Sequence, residues 1–261
     1  MINTETIEHI LLLCLYSTMI KNEIPVSCML IAPAEHGKTE ILKRFAFIES
    51  AQIMTDFNSH VFAEFAYEFQ SGRKRTIIIQ DFLRIIKKKY STQANSLTII
   101  NAITEEGWIG KLPLGQVIDK PIHANILTAI TRDELEDKRH KWAKIGFMSR
   151  FIPVSFSYHE NTKSQIREYI KNRIYRDDNL YNFKISDPID ISLPKNIADK
   201  IEDISLDIST SENILGFRLQ RQLQVLAMAS ALSNGRNLVN DSDVEIINQI
   251  SKYINFRYGK L

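Results

Sequence analysis

Cysteine is scarce in this sequence: Cys14 and Cys28 are the only two in 261 residues. Both lie in apolar stretches, which argues against a disulfide framework and fits buried thiols in a reducing compartment. Neither belongs to a metal-ligand spacing, and the six histidines are scattered. Charge of one sign is also missing. Lys and Arg number 33 against 31 Asp and Glu, a net charge of +2, so global charge argues neither for nor against nucleic acid and only local patches can speak. There is no long hydrophobic run. The apolar stretch from Ile10 to Ile20 contains Tyr16, Ser17 and Thr18 and is too short to span a bilayer. Glu5 and Glu8 precede it, so the basic region of a signal peptide is absent. A buried N-terminal helix, a cytoplasmic location and no membrane partner are the expectations. No internal repeat or low-complexity tract interrupts the chain. Hydrophobic residues make up 44%, enough for a sizeable core in one large domain or two small ones.

What is present concentrates in Cys28-Met29-Leu30-Ile31-Ala32-Pro33-Ala34-Glu35-His36-Gly37-Lys38-Thr39. The stretch reads as a buried strand, a tight loop and a helix opening at Lys38. It fits the phosphate-binding pattern G-x-x-x-x-G-K-[ST] with one departure, Ala32 in place of the first glycine. In such a loop the backbone around Ala34, Glu35, His36 and Gly37 faces an anion, and the helix start favours negative charge. Lys38 reaches the β- and γ-phosphates, and the Thr39 hydroxyl holds Mg²⁺. A chance Gly-Lys-Thr on a surface turn would lack the apolar Met29-Leu30-Ile31 before it and the amphipathic Ile41, Leu42, Phe45 and Ile48 after it. ATP with Mg²⁺ is the expected ligand.

The rest of the chain alternates in character. Residues 4–20 read as a helix, and Pro25 breaks the chain before a first strand over 26–31. Residues 51–55 are a plausible second strand. Ser59 is the expected cap of a helix through Val61, Phe62, Phe65, Ala66 and Phe69. The β-branched run Thr76-Ile77-Ile78-Ile79 suits a parallel strand covered on both faces. It ends in Gln80-Asp81, where such a sheet presents its ligands. Helical patches follow over 82–90 and 96–105, then a glycine-punctuated segment with Trp108 and Ile109 that reads as a hairpin. Residues 124–131 form another strand, 132–144 a charged helix and 151–157 a last strand, where Pro153 favours an edge position. Beyond Tyr158 no strand is convincing. Helices are expected over 164–175, 195–204, 216–233 and from 242 on, the last opened by a capping box of Ser242 with Glu245, while 176–194 is polar and irregular. The expected organisation is an α/β nucleotide-binding domain over 1–160 and an all-α domain over 161–261.

A phosphate loop after the first strand, a carboxylate after a buried strand and a helical C-terminal part together resemble the AAA+ ATPase superfamily over nearly the whole chain. Met148-Ser149-Arg150-Phe151 is similar to the element of MoxR-type and minichromosome-maintenance-type members whose arginine acts on a neighbouring subunit's nucleotide. Residues 218–244 are similar to the MoxR-type lid, with Gly235-Arg236, Val239 and Asp243-Val244 at matching intervals from Arg218. The resemblance implies a five-stranded parallel sheet in the order 5-1-4-3-2, a helical lid over the nucleotide, and a homo-oligomeric ring or filament. It also implies catalytic roles for Arg150 in trans and for Arg218 in cis, with Arg221 one turn on as the alternative. Thr131, at a strand end, takes the place of a residue sensing the γ-phosphate or the attacking water. Phosphoryl transfer needs such charge neutralisation and a group that positions water. The plain readings stand beside these: surface arginines for Arg150 and Arg218, and a β-former at a strand end for Thr131.

The acidic element departs from the family, where Asp-Glu usually follows the buried strand. Gln80-Asp81-Phe82 permits two alignments: Asp81 as the magnesium residue with Phe82 replacing the base, or Gln80 replacing the Asp and Asp81 the Glu. Either way one carboxylate remains of two, and Asp is shorter than Glu. Glu105 and Glu106 are substitutes in principle, although Glu105-Glu106-Gly107 better matches a segment with no catalytic part. Basic residues cluster at Arg73-Lys74-Arg75, at Arg84 with Lys87-Lys88-Lys89-Tyr90, and at Lys111 and Lys120. With Tyr90 and Trp108 nearby they could contact nucleic acid, against the plainer reading of solvated faces. Two functions follow. One is an oligomeric ATPase that remodels or loads on nucleic acid or a protein partner. The other is a catalytically degenerate nucleotide-binding scaffold that recruits partners. A monomeric P-loop kinase fits less well, because the helical lid and Ser149-Arg150-Phe151 are foreign to it.

Overall fold

Alternation along one strand sets the architecture. β1 (Ser27–Ala32) is buried along its whole length. Cys28, Leu30 and Ala32 enter one apolar cluster, Met29 and Ile31 the other. Successive side chains of a strand point to opposite faces, so a strand without a polar face must be covered on both sides. The computed structural model, which describes residues 4–113, 115, 117–144, 146–173, 181, 183 and 186–256, has that arrangement. β1 pairs in parallel with β6 (Asn125–Thr131) and with β7 (Phe151–Ser155). Next to β6 lies β3 (Thr76–Ile79), and next to β3 lies β2 (Ala51–Ile53). The sheet order is β2-β3-β6-β1-β7; counted in chain order within this sheet and read from the β7 edge, it is 5-1-4-3-2. Pro153 sits on the edge strand β7 opposite Met29, where a residue without an N–H is tolerated.

Helices cover both faces. On one, α1 (Glu5–Ser17) packs against α9 (Phe217–Ser233), which in turn packs with α8 (Lys195–Glu212) and α10 (Asp241–Ser251). On the other, an aromatic cluster dominates. Phe82 lies 5.7 Å from Trp142 and 5.5 Å from Phe147 between ring centroids, and Phe147 lies 5.1 Å from Phe151. Helices α3 (Ser59–Gln70), α5 (Tyr90–Ile103) and α6 (Arg132–Lys144) supply most of this layer. Short helices α2 (Lys38–Lys43) and α4 (Leu83–Ile86), the amphipathic α7 (Glu160–Lys171), a 3-10 turn over Met148–Arg150 and an antiparallel hairpin of β4 (Trp108–Lys111) and β5 (Val117–Ile122) complete the described elements. Cys14 and Cys28 are buried free thiols, and burial holds the Cys28 thiol well above its usual range. Among the described residues no helix is long and apolar enough to cross a membrane.

Several local expectations shift. α3 is capped by Asn58, whose side chain accepts the His60 and Val61 N–H groups at 2.9 and 3.1 Å; Ser59 is already helical. The capping box of α10 is Asn240 with Asp243, two residues earlier than Ser242 with Glu245. Asp243 has the stronger claim because it is fully buried and also binds Arg236 and Ser230, each at 2.7 Å. Burial alone would push its carboxyl up. Hydrogen bonds from Arg236, the Asn240 N–H and Ser230 outweigh that and hold it below the ordinary carboxylate range. α8 runs on to Glu212 because Ile208 and Ser209 continue the buried stripe of Ile197 and Ile201 through a Ser- and Asp-rich sequence of low helix propensity. α7 begins at Glu160, earlier than expected. Residues 174–180, the end of that expected helix and part of the irregular stretch, lie outside the described residues.

Candidate functional site

The end of the sheet where the strands finish gathers three of the singled-out side chains. β1 ends at Ala32, in register with Thr131 at the end of β6. The loop after Ala32 turns through two left-handed residues, Glu35 (φ 62°) and Gly37 (φ 72°). Glycine takes that conformation freely, while for Glu35 it costs about 1 kcal/mol. Lys38 opens α2 and folds back over the loop, its ammonium donating to the carbonyls of Ala32 at 2.8 Å and Pro33 at 2.6 Å. Burial pushes the Lys38 ammonium below its usual value, and the Glu134 and Asp81 carboxylates act against that. His36 stacks on Tyr158 at 5.1 Å and bonds through Nδ1 to the Ala34 carbonyl at 2.9 Å. Thr39 is exposed on the first turn of α2. The six residues of α2 make too short a helix for a strong dipole, so loop geometry and Lys38 define this end. Arg44, just past α2, anchors it to α1 through the buried Glu8, at 2.5 and 2.6 Å.

Asp81 follows β3 at the same end of the sheet, its Oδ1 accepting the Leu83 N–H at 3.0 Å. Phe82 is fully buried in the aromatic cluster. It therefore stands where no water-activating group could reach solvent. Thr131 donates to Glu134 Oε2 at 2.7 Å. Glu134 was not singled out by sequence, yet Thr131-Arg132-Asp133-Glu134 carries the [ST]-x-x-[DE] spacing of a helix start, a signal that could have found it. Thr39 and Asp81 offer hard oxygen donors of the kind Mg²⁺ takes beside phosphate oxygens. Among the described residues no group of three or more His, Cys, Asp or Glu is placed to hold a metal ion on protein ligands alone.

Arg150 and Arg218 lie elsewhere. Arg150 immediately precedes β7, and Phe151 pairs with Ser27, so it belongs to the end where the strands begin. The six residues of β1 separate it from the loop by roughly 17 Å at about 3.3 Å per residue. Arg218, expected over the loop in cis, is placed instead beside Arg150. Glu105 holds both: Arg150 at 2.9 Å through Oε2, and Arg218 at 2.5 and 2.8 Å through Oε1. Arg218 also donates to the Ser149 hydroxyl at 2.7 Å, and Arg150 to the Gly146 carbonyl at 2.6 Å. Gly146 adopts φ 65°, and a Cβ there would stand 3.1 Å from the Arg150 guanidinium. Arg221 pairs with Glu23 at 3.3 Å and lines the same shallow cleft as Glu105, Arg150 and Arg218. Glu105 therefore orders the arginines, some distance from the loop where a substitute base would act.

Much of the basic sequence is committed to the fold. Lys74 donates to the Glu49 and Ala51 carbonyls at 2.7 and 2.8 Å, Arg75 to the Ser186 carbonyl at 3.1 Å, and Arg73 pairs with Glu68 at 2.7 Å. Lys88 pairs with Asp56, and Lys141 covers the Tyr90 ring at 4.7 Å. Trp108 packs edge-on against Phe62 at 5.5 Å. No protein-family model and no curated protein matches this chain.

Proposed function

We propose that this chain binds ATP with Mg²⁺ at the loop from Ala32 to Thr39 and works as one subunit of an AAA+-like assembly. The carrying observation is the convergence of Lys38, Asp81 and Thr131 at one end of a parallel sheet in the order β2-β3-β6-β1-β7. On this reading Lys38 exchanges two neutral carbonyl partners for phosphate oxygens, a charge-assisted bond roughly twice as strong as a neutral one. Thr39 and Asp81 would hold Mg²⁺, which neutralises phosphate charge when bound. Arg150, with Arg218 beside it, would serve the nucleotide of a neighbouring subunit, since both are too far from their own loop to serve it in this conformation. Hydrolysis would drive remodelling of, or loading on, a protein or nucleic-acid partner.

A scaffold that binds ATP without efficient hydrolysis is the second reading. What favours it is that Asp81 is the one carboxylate of Gln80-Asp81-Phe82 and that Phe82 beside it is fully buried. Calorimetric titration with ATP and Mg²⁺ tests the common part. Wild type should bind, and Lys38→Ala should weaken binding at least about 10-fold, the loss of one charged hydrogen bond. Equal affinity in the two proteins, or none in wild type, would remove the proposal.

A further inference from the structure

The site lacks a second carboxylate in its acidic element, and Glu134 stands where one is needed. β6 runs between β3 and β1. Whatever follows its last residue therefore lies between Asp81, beyond β3, and Lys38, beyond β1. α6 opens directly after Thr131 with no intervening loop, and its first turn carries Glu134. Thr131 is in register with Ala32, whose carbonyl accepts the Lys38 ammonium at 2.8 Å. The Thr131 hydroxyl fixes Oε2 of Glu134 at 2.7 Å, and Lys87 Nζ approaches Oε1 at 4.0 Å. The side chain is 28% exposed, so it is held in place and still reachable by water. Asp81 is less suited to activate water, because its Oδ1 is engaged by the Leu83 N–H and its reach is one methylene shorter.

Resting on the nucleotide reading above, we propose that Glu134 is the general base for hydrolysis of the bound nucleoside triphosphate, with Thr131 as its positioning residue. The water oxygen forms a bond to the γ-phosphorus while the water proton passes to the Glu134 carboxylate. The bond from that phosphorus to the β–γ bridging oxygen breaks, and its electron pair leaves with the diphosphate. Glu134 then returns its proton to the released phosphate or to solvent. Gln80-Asp81-Phe82 is thereby relieved of the catalytic half of its usual task, and a lone Asp81 suffices.

The test uses the full chain with ATP and Mg²⁺. It measures affinity by titration, turnover by phosphate release, and the identity of the bound nucleotide after rapid filtration. Glu134→Gln should keep affinity within about 3-fold and lose turnover by about 100-fold or more, with ATP instead of ADP recovered from the protein. Should that variant fold poorly, Glu134→Asp keeps the charge, shortens the reach and should lose about 10-fold with affinity retained. Turnover within about 3-fold of wild type in Glu134→Gln overturns the assignment and leaves ATP binding intact. A loss of affinity in that variant as large as in Lys38→Ala also overturns it, making Glu134 a binding residue. Wild type that binds ATP and never hydrolyses it overturns the base alone. Wild type that binds no ATP overturns the nucleotide reading and this inference together.

Discussion

The two ends of the parallel sheet carry similar charges in opposite arrangements. Where the strands finish, the Lys38 ammonium rests on two neutral carbonyls, with the Glu134 and Asp81 carboxylates nearby. Where the strands begin, the Arg150 and Arg218 guanidiniums converge on the Glu105 carboxylate, with Glu106 3.6 Å from Arg150. A cation on neutral acceptors is readily drawn away by an anionic ligand. Two arginines sharing the Glu105 counter-ion, with Glu106, Ser149 and the Gly146 carbonyl as further partners, are ordered before any ligand arrives. On the proposed reading the first end receives an anion, and the second holds its arginines in a fixed geometry for a neighbouring subunit's nucleotide.

The largest expected effect separates the ends cleanly. Arg150→Ala should lower ATP turnover by about 1,000-fold while ATP affinity, read by titration, stays within about 3-fold. Lost affinity in that variant would mean that the two ends serve one nucleotide within a single chain. Next in size, Asp243→Asn disturbs neither end and serves as the control. Breaking this buried pair should cost about 3 kcal/mol in a denaturant melt and leave affinity for ATP unchanged. Because the native Asp243 carboxyl titrates below its unfolded value of about 3.9, its stabilisation is present above that pH and is lost as pH falls through it toward the native value. Acid melts of wild type should show that loss, and those of the Asn variant should not.

A smaller effect is expected at Gly146. Gly146→Ala places a side chain at φ 65° against Arg150 and should cost about 1–2 kcal/mol of stability, with turnover falling and ATP affinity spared. The smallest change is a gain. Glu35→Gly relieves a left-handed residue in the loop and should raise stability by about 1 kcal/mol in the same melt. Ligand-free stability that does not rise would mean that the Glu35 side chain compensates its own strain.

The sheet was legible in the sequence because its central strands are short apolar runs with no polar face. Met29-Leu30-Ile31 and Ile77-Ile78-Ile79 admit few other placements. Caps were less legible: Asn58 and Asn240 lie one and two residues before the serines that the pattern suggested, and only the backbone tells which side chain meets the free N–H groups. The loop was visible through Gly37-Lys38-Thr39. The pairing of Arg218 with Glu105 was not, since 113 positions separate them and no local pattern links a helix start to a loop that distant. Packing of α1 on α9, which lets the helical C-terminal region share a core with the first helix, is hidden for the same reason.

Mixing two inactive variants tests most directly whether the two ends complete one site between subunits. Lys38→Ala keeps its arginine end, and Arg150→Ala keeps its loop end. Each alone should show turnover near background, and an equimolar mixture should recover a substantial fraction of wild-type ATP hydrolysis through interfaces that pair an intact loop with an intact Arg150. A mixture no more active than the mean of the two variants would contradict the account, as would full activity in Arg150→Ala alone.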